Sequence, residues 1–215
     1  MSRSIAVLGL GKYGRSLAEH LYQLGADVLA VDQDEDLVEE IAPKCTSAVW
    51  ASLDNEEEVK ALGLENMDVV VTAMGNNLGA TVLSIAVAKE QGVPLVVAKS
   101  STGVMSSILR KVGADKVIDP EGEGGLRSAK ILLSQSFKDF FKLDENMYMI
   151  EINPRKEWIG KTLREIELRK TRNINVVAIR EKGGLWGFAA PSIRLKEEHL
   201  LLIGVEEKDM NRIQR

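Results

Sequence analysis

The first half of the chain alternates short apolar runs with longer amphipathic stretches. Six runs of Val, Ile, Leu and Ala contain few polar residues, which is typical of strands buried on both faces of a sheet. These runs are Ser4–Leu8, Asp27–Val31, Ala48–Ala51, Val69–Ala73, Leu95–Ala98 and Lys116–Ile118. The helical patterns between them cover Gly14–Leu24, Asp34–Ala42, Asn55–Leu62, Leu78–Gln91 and Gly103–Val112. Strands that alternate with helices predict right-handed crossovers and a parallel sheet, so we predict a doubly wound, Rossmann-like α/β domain.

The remainder of the chain has a different pattern. Gly122–Phe141 is predicted to form one helix, whose wide apolar face would either cover the sheet or dock on a second subunit. Beyond it, the strand candidates are Tyr148–Ile152, Val176–Arg180, Leu185–Ala189 and His199–Gly204, and the short helix candidates are Leu163–Glu167 and Glu207–Ile213. This arrangement predicts a second, smaller α+β domain. We therefore divide the chain into residues 1–142 and residues 143–215.

Composition excludes several classes of protein. Of the 215 residues, 45% are hydrophobic and 28% are charged, which is typical of a globular protein. The net charge of −4 lacks the basic excess expected of a nucleic-acid-binding protein. The single cysteine, Cys45, cannot form an intrachain disulfide, and no apolar run approaches the ~20 residues that span a bilayer. We therefore expect a cytoplasmic protein that does not bind nucleic acid.

A glycine-rich loop connects the first predicted strand to the first predicted helix. Its sequence, Gly9-Leu10-Gly11-Lys12-Tyr13-Gly14, is a G-x-G-x-x-G motif in the strand-to-helix context of dinucleotide-binding sites. Gly9 permits the tight turn, Gly11 lets a phosphate approach the backbone, and Gly14 lets the helix pack on the strand. The helix N-terminus adds free N–H groups and a positive dipole. The motif therefore predicts a site for a nucleotide phosphate.

Charged residues around this loop bear on which nucleotide binds. Asp32 ends the second predicted strand, 18 residues after Gly14, where a carboxylate can bind ribose hydroxyls and repel a 2′-phosphate. Lys12 and Arg15 flank the start of the helix. They are either ordinary solvated charges or contacts for additional phosphates, as in ATP or ADP. The spacing of these residues leaves the identity of the nucleotide open.

The sequence shows no pair of residues suited to hydride-transfer catalysis. His20 lies within the first helical pattern and His199 begins a late strand, so both favour structural roles. None of the tyrosines Tyr13, Tyr22 and Tyr148 is followed by Lys at the Tyr-x-x-x-Lys spacing. We therefore predict binding without turnover, and not an enzyme. The alternatives are an NAD(H)-dependent oxidoreductase and a redox regulator that senses NADH.

Five segments of the chain carry a family resemblance. They are Ile5–Gly14, Val28–Asp32, Thr72–Asn77, Val96–Lys99 and Gly113–Glu121. Together with the residues from 143 onward, they resemble the regulatory (K⁺-conductance-regulating, RCK/KTN) subunits of bacterial Trk and Ktr potassium uptake systems. The resemblance covers nearly the whole chain, and the sequence Gly-Ala-Asp-Lys-Val-Ile-Asp-Pro-Glu of the last segment is its most specific part.

The resemblance implies two ligand sites. ATP and ADP, or NAD(H), would occupy the first site, with contacts from Gly9, Gly11, Lys12, Tyr13, Gly14, Arg15, Asp32, Asp54, Asn77 and Lys99. Glu121 matches an acid that, in some members, helps to bind a cation such as Mg²⁺ near the nucleotide at the dimer interface. The second site would lie in the C-terminal domain, which in some members binds cyclic di-AMP between two subunits, with contacts from Arg169, Asn175 and Pro191.

The resemblance also implies a function. Subunits of this kind form homodimers that assemble into an octameric ring below a membrane subunit that translocates potassium. Nucleotides change the shape of the ring and so control K⁺ flux, which would place the chain at the inner face of the membrane. Lys12 departs from the Arg of many members. Since arginine forms two parallel hydrogen bonds with phosphate and lysine does not, a third phosphate would be held differently here, or by Arg15.

Overall fold

The computed structural model of the chain describes residues 2–75, 77–133 and 137–214. Contacts within the chain divide it into two compact units, Met1–Gly122 and Glu123–Arg215. Each unit has its own sheet and its own hydrophobic core.

Six parallel strands form the sheet of the N-terminal unit. They are β1 (Ser4–Leu8), β2 (Asp27–Asp32), β3 (Ser47–Trp50), β4 (Val69–Thr72), β5 (Leu95–Lys99) and β6 (Lys116–Ile118). Their order across the sheet is β3-β2-β1-β4-β5-β6. The helices are α1 (Lys12–Gln23), α2 (Glu35–Ile41), α3 (Glu56–Lys60), α4 (Leu78–Glu90) and α5 (Gly103–Val112), followed by α6 (Pro120–Leu133), which continues past the end of this unit. The predicted doubly wound parallel sheet is confirmed.

Hydrophobic side chains cover both faces of this sheet. Along β1, Ala6 and Leu8 belong to one buried cluster, and Ile5 and Val7 belong to another. Burial on both faces explains the unbroken apolar runs in the sequence. The strand order places β1 between β2 and β4, so the winding direction reverses at β1. A reversal of this kind opens a crevice beyond the carboxyl ends of the strands.

The C-terminal unit is built on an antiparallel sheet. Its strands are β7 (Phe137–Lys142), β8 (Met147–Ile152), β9 (Asn175–Arg180), β10 (Gly187–Phe188) and β11 (Leu200–Glu206), in the order β10-β9-β11-β8-β7. The short helices are α7 (Leu163–Ile166), α8 (Leu168–Arg172) and α9 (Asn211–Gln214), with single 3₁₀ turns at Lys156–Trp158 and Glu207–Asp209. Trp158, Ile150 and Leu201 are buried in the core of this unit. The predicted α+β architecture of this part is therefore confirmed.

The prediction of a single helix over Gly122–Phe141 is wrong beyond residue 133. α6 ends at Leu133, and the strand β7 follows. The phenylalanines of this segment recur at helical spacing, but pairing with β8 buries Phe140 against Tyr148, with 5.0 Å between the ring centroids. Burial of aromatic side chains in this core therefore outweighs the local helical pattern.

Further differences concern the C-terminal unit and the helix α6 that precedes its first strand. The division after Gly122 precedes the predicted boundary at residue 142, because β7 pairs with β8 and so belongs to the C-terminal sheet. None of the described residues of α6 is buried, and Leu132 and Leu133 are 84% and 85% exposed. Ile131 of α6 nevertheless packs against the core cluster of the C-terminal unit, and Arg127 pairs with Asp139 of β7, so this helix contacts the C-terminal sheet. Its docking on a second subunit stays a prediction. The sequence also missed α8, and only β10 remains of the strand predicted over Leu185–Ala189.

Asp115 links β5 to the turn before β6. Its Oδ2 accepts a hydrogen bond from Val96 N at 2.7 Å and lies 3.0 Å from Lys89 Nζ. The hydrogen bond from Val96, followed by the interaction with Lys89, lowers the pKa of Asp115. A carboxyl with a lowered pKa in the folded state contributes stability above its unfolded pKa of about 3.9. That contribution is lost as the pH falls through the folded pKa.

We therefore expect Asp115→Asn to be less stable than the parent at pH 7, with a difference that shrinks below about pH 4. Urea unfolding of both proteins at pH 7 and pH 3 measures this. Glu39→Gln, at an exposed position on α2, is the matched control and is expected to show no such pH dependence. A difference of equal size at both pH values would contradict the role of Asp115.

Candidate functional site

The glycine loop between β1 and α1 has two positions at which the chain's own packing requires glycine. Gly9 has a φ of 98°, and a Cβ there would lie 2.5 Å from Met74 Cγ. A Cβ on Gly14 would overlap the carbonyl oxygen of Gly9. A Cβ on Gly11 would meet no atom within 4 Å in the described parts of the chain. Gly11 therefore leaves open space beside the backbone, as a site for phosphate requires.

The loop borders a cleft of about 440 Å³ at the carboxyl ends of β1, β2, β4 and β5. Nine residues that the sequence assigned to a nucleotide site line this cleft: Gly9, Gly11, Lys12, Tyr13, Asp32, Asp54, Asn77, Lys99 and Glu121. The lining residues that the sequence analysis missed are Gln33, Leu53, Ala73, Met74, Gly75 and Ala80. Most of these follow closely after a strand. The rule that ligands bind beyond the carboxyl ends of parallel strands could therefore have found them.

Asp32 is fixed at the end of β2 by two backbone hydrogen bonds. Its Oδ2 accepts from Leu10 N of the glycine loop at 2.5 Å, and its Oδ1 accepts from Asp34 N at 3.0 Å. These bonds hold the carboxylate between the loop and the residue that caps α2. Because a carboxylate oxygen has more than one lone pair, both oxygens can accept a further donor such as a hydroxyl group.

Asp54 and Asn77 join the loops that follow β3 and β4. Asn77 Nδ2 donates to the two carboxylate oxygens of Asp54 at 3.0 and 2.9 Å. Asn77 Oδ1 caps α4 by accepting from Ala80 N at 3.1 Å. The loop after β3 is thereby tied to the N-terminus of α4.

Lys99 and Glu121 form an ion pair in the cleft. Lys99 Nζ lies 2.5 Å from Glu121 Oε1 and 5.7 Å from the centroid of the Tyr13 ring. The Lys99 side chain is 13% exposed, whereas that of Glu121 is 58% exposed. The hydrogen bond from Lys99 lowers the pKa of the Glu121 carboxyl, so this group is ionised at neutral pH. An anion that enters the cleft would compete with Glu121 for Lys99.

Gly14 and Arg15 are not among the residues that line the cleft. Gly14 instead permits the close packing of α1 on the loop. Arg15 Nη1 lies 3.0 Å from Glu40 Oε2 on α2. This ion pair gives Arg15 a partner outside the cleft, and a contact from Arg15 to phosphate stays a prediction.

Glu121 is paired with Lys99, and the described residues include no group of three or more His, Cys, Asp or Glu side chains that could hold a metal ion. The cation role predicted for Glu121, near a nucleotide at a dimer interface, stays a prediction.

The C-terminal unit contains a second cavity, of about 380 Å³. Arg169, Asn175 and Pro191, the three residues predicted to bind a second ligand, all line it. Apolar side chains and basic side chains contribute together, among them Leu168, Ile174, Arg164 and Lys170. This mixture suits a ligand that combines flat apolar groups with negative charge.

The histidines lie outside both cavities. His20 is on α1, with Nδ1 2.7 Å from Ser16 O. His199 is buried in the C-terminal unit, where Nδ1 accepts from Lys196 N at 3.2 Å. As for membrane segments, none of the helices in the described ranges has both the length and the apolar composition needed to cross a bilayer.

The fold and the cleft together define a class of protein. A doubly wound parallel sheet, a glycine loop at the reversal of winding and an acid at the end of β2 define a Rossmann-type nucleotide-binding domain. Residues 5–120 match the family model of the TrkA-N domain. The chain belongs to this family, as a regulatory subunit of the Trk/Ktr potassium uptake type.

Matches to known relatives extend over nearly the full chain. The chain is 34% identical over 205 residues to Ktr system potassium uptake protein C of Bacillus subtilis, covering 95% of this chain and 93% of the relative. It is 32% identical over 214 residues to Ktr system potassium uptake protein A of Vibrio alginolyticus, covering 98% and 96%. Among solved structures, it is similar to the GsuK channel bound to NAD, with a TM-score of 0.67 and 15% identity. That match covers 98% of this chain but 38% of the channel chain, and it shows the fold.

The glycine geometry predicts that two similar substitutions differ in their effect on stability. Gly14→Ala is expected to lower the free energy of unfolding by about 1–3 kcal/mol, because the new methyl group overlaps the Gly9 carbonyl oxygen. Gly11→Ala is the matched control, and we expect it to change this free energy by less than about 0.5 kcal/mol. Urea unfolding compares the two variants. Equal stabilities would show that α1 does not need its close approach to the loop.

Proposed function

We propose that this chain binds an adenosine nucleotide, either ATP and ADP or NAD(H), and regulates potassium flux through a membrane partner. The observation that carries the proposal is the convergence of nine predicted residues on one cleft, although they come from separate loops and helix starts. Such convergence at the carboxyl ends of parallel strands is the usual form of a nucleotide site in this architecture. Membership of the Trk/Ktr family supports the link to potassium.

The cleft offers complementary groups to the two ends of an adenosine phosphate. The open backbone at Gly11 and the positive dipole end at the start of α1 attract phosphate, and Lys12 and Lys99 add positive charge. Asp32 accepts hydrogen bonds from the ribose hydroxyls with its remaining lone pairs. Since the same carboxylate repels a 2′-phosphate, NAD(H) is favoured over its phosphorylated form.

We infer that the pair of Lys99 and Glu121 makes the protein sensitive to the number of phosphates. A ligand shifts a protein between two shapes only by binding one shape more tightly. A more highly charged nucleotide competes more strongly for Lys99, and Glu121 then loses its partner. Because Glu121 lies in the first turn of α6, this exchange changes the contacts that hold the start of that helix.

The proposed partner is the membrane subunit that translocates potassium, with this chain at the cytoplasmic face. The names of the relatives as potassium uptake proteins support such a partner. We further propose homodimers that assemble into an octameric ring. The exposed Leu132 and Leu133 of α6 support contacts between copies, since such apolar side chains gain from burial.

Cyclic di-AMP is the proposed ligand of the C-terminal cavity. Arg169 brings a guanidinium suited to phosphate, and Asn175 brings an amide that can donate and accept hydrogen bonds. The apolar residues Leu168 and Ile174 offer surface for an adenine ring.

The proposed role is regulatory and does not include catalysis. Membership of a family of regulatory subunits of potassium uptake systems supports this role. An NAD(H)-dependent oxidoreductase is the competing function. Steady oxidation of NADH by the purified protein with a carbonyl substrate would favour that competitor.

Asp32→Asn tests the ribose contact. We expect the affinity for ADP to fall at least tenfold, because a hydrogen bond to a charged group contributes about 1.5–3 kcal/mol. Asp36→Asn, an exposed carboxyl on α2 outside the cleft lining, is the control and is expected to bind ADP as the parent does. Calorimetric titration measures the affinities, and a thermal melt confirms that both variants fold. Parent-like ADP binding by Asp32→Asn would remove Asp32 from the site.

Arg169→Ala tests the C-terminal cavity. Loss of the guanidinium is expected to weaken cyclic di-AMP binding at least tenfold while ADP binding stays unchanged. Arg110→Ala, an exposed residue on α5, controls for the general loss of positive charge. Fluorescence or calorimetric titration with cyclic di-AMP measures the effect. Binding that survives in Arg169→Ala would place the dinucleotide elsewhere.

A further inference from the structure

Trp50 is a large aromatic residue in an unusual setting. It ends the edge strand β3, and 63% of its surface is exposed. It lies directly opposite Asp32 in the parallel ladder between β2 and β3. The ring of Trp50 therefore gains little from burial, so its contribution to this part of the fold comes from its indole N–H group.

The indole N–H of Trp50 is used in a hydrogen bond. Nε1 donates to the carbonyl oxygen of Gln33 at 2.8 Å. Gln33 follows Asp32 and itself lines the cleft. The carbonyl that Trp50 holds therefore belongs to the turn between β2 and α2.

This hydrogen bond acts on the same peptide group that holds Asp32. The carbonyl of Gln33 and the N–H of Asp34 belong to one planar peptide unit, and they point in opposite directions. The N–H end donates to Asp32 Oδ1 at 3.0 Å, while the carbonyl end accepts from Trp50. Rotation of this peptide unit would break both hydrogen bonds together. Trp50 thus holds the peptide unit that orients the carboxylate.

We infer that Trp50 is a positioning residue for recognition of the ribose, acting through the peptide unit of Gln33 and Asp34 on the carboxylate of Asp32. The inference rests on the proposed binding of ribose by Asp32. Hydrogen bonds in such a chain strengthen one another, so the loss of the indole N–H also weakens the bond to Asp32 Oδ1. The other carboxylate oxygen remains held by Leu10 N, so Asp32 loses one of two constraints.

Trp50→Phe keeps an aromatic ring and removes the N–H donor. The first measurement is the ratio of dissociation constants for 2′-deoxy-ADP and ADP, which reports on the ribose hydroxyl alone. We expect this ratio to exceed one in the parent and to fall two- to tenfold in Trp50→Phe, as expected for one hydrogen bond. Trp186→Phe, which removes another tryptophan in the C-terminal unit, is the matched control and is expected to keep the parental ratio.

The second measurement needs no ligand. Hydrogen exchange of the Asp34 amide, followed by NMR, is expected to be at least threefold faster in Trp50→Phe than in the parent at equal global stability. An exchange rate in Trp50→Phe equal to that of the parent would overturn the positioning role of Trp50. If the parent binds ADP more tightly than 2′-deoxy-ADP, an equal ratio of dissociation constants in Trp50→Phe would overturn it as well. A parent that binds ADP and 2′-deoxy-ADP equally would overturn the assignment of Asp32 to the ribose and, with it, this inference. If the Asp34 amide nevertheless exchanges faster in Trp50→Phe, the hydrogen bonds that link Trp50 to Asp32 act as described. The failure then lies in the proposed binding of ribose by Asp32.

Discussion

The parallel pairing of β1 with β2 on one side and β4 on the other is the constraint on which the cleft depends. It brings the carboxyl ends of these strands to one edge, where the glycine loop, Asp32 and the residues after β4 meet. Burial of β1 on both faces stabilises the pairing, since Ala6 and Leu8 pack into one core cluster and Ile5 and Val7 into another. Any change that displaces β1 therefore displaces the whole site.

Within this frame, the polar contacts of the cleft link loops that are distant in sequence. The carboxylate of Asp32 connects the glycine loop to the turn before α2, and Asn77 connects Asp54 to the start of α4. Lys99 and Glu121 connect the end of β5 to α6. A nucleotide bound in the cleft, as proposed, would act on all of these contacts at once. This is the physical basis on which binding at one site can bias the arrangement of several elements.

The sequence predicted the N-terminal fold well because two-sided burial and glycine loops leave strong local signals. It missed β7, since the spacing of its phenylalanines suits a helix and only the pairing with β8 reveals a strand. At the cleft, most of the charged residues and the glycines of the first loop could be named from their chemistry, whereas Gln33 and Met74 were missed, because only their position just after a strand points to the cleft. The ion pair of Arg15 with Glu40 could not be predicted either, because Glu40 lies on another helix and comes close only in the fold.

Calorimetric titration of the purified, unmodified protein with ATP, ADP, NAD, NADH and NADPH is the direct test of nucleotide binding in the cleft. We expect saturable binding of at least one of the first four nucleotides, with about one site per chain, and weaker binding of NADPH than of NADH because of Asp32. No heat of binding with any of them at millimolar concentration would show that the cleft is not a nucleotide site. Preferential binding of NADPH would contradict the role given to the carboxylate at the end of β2.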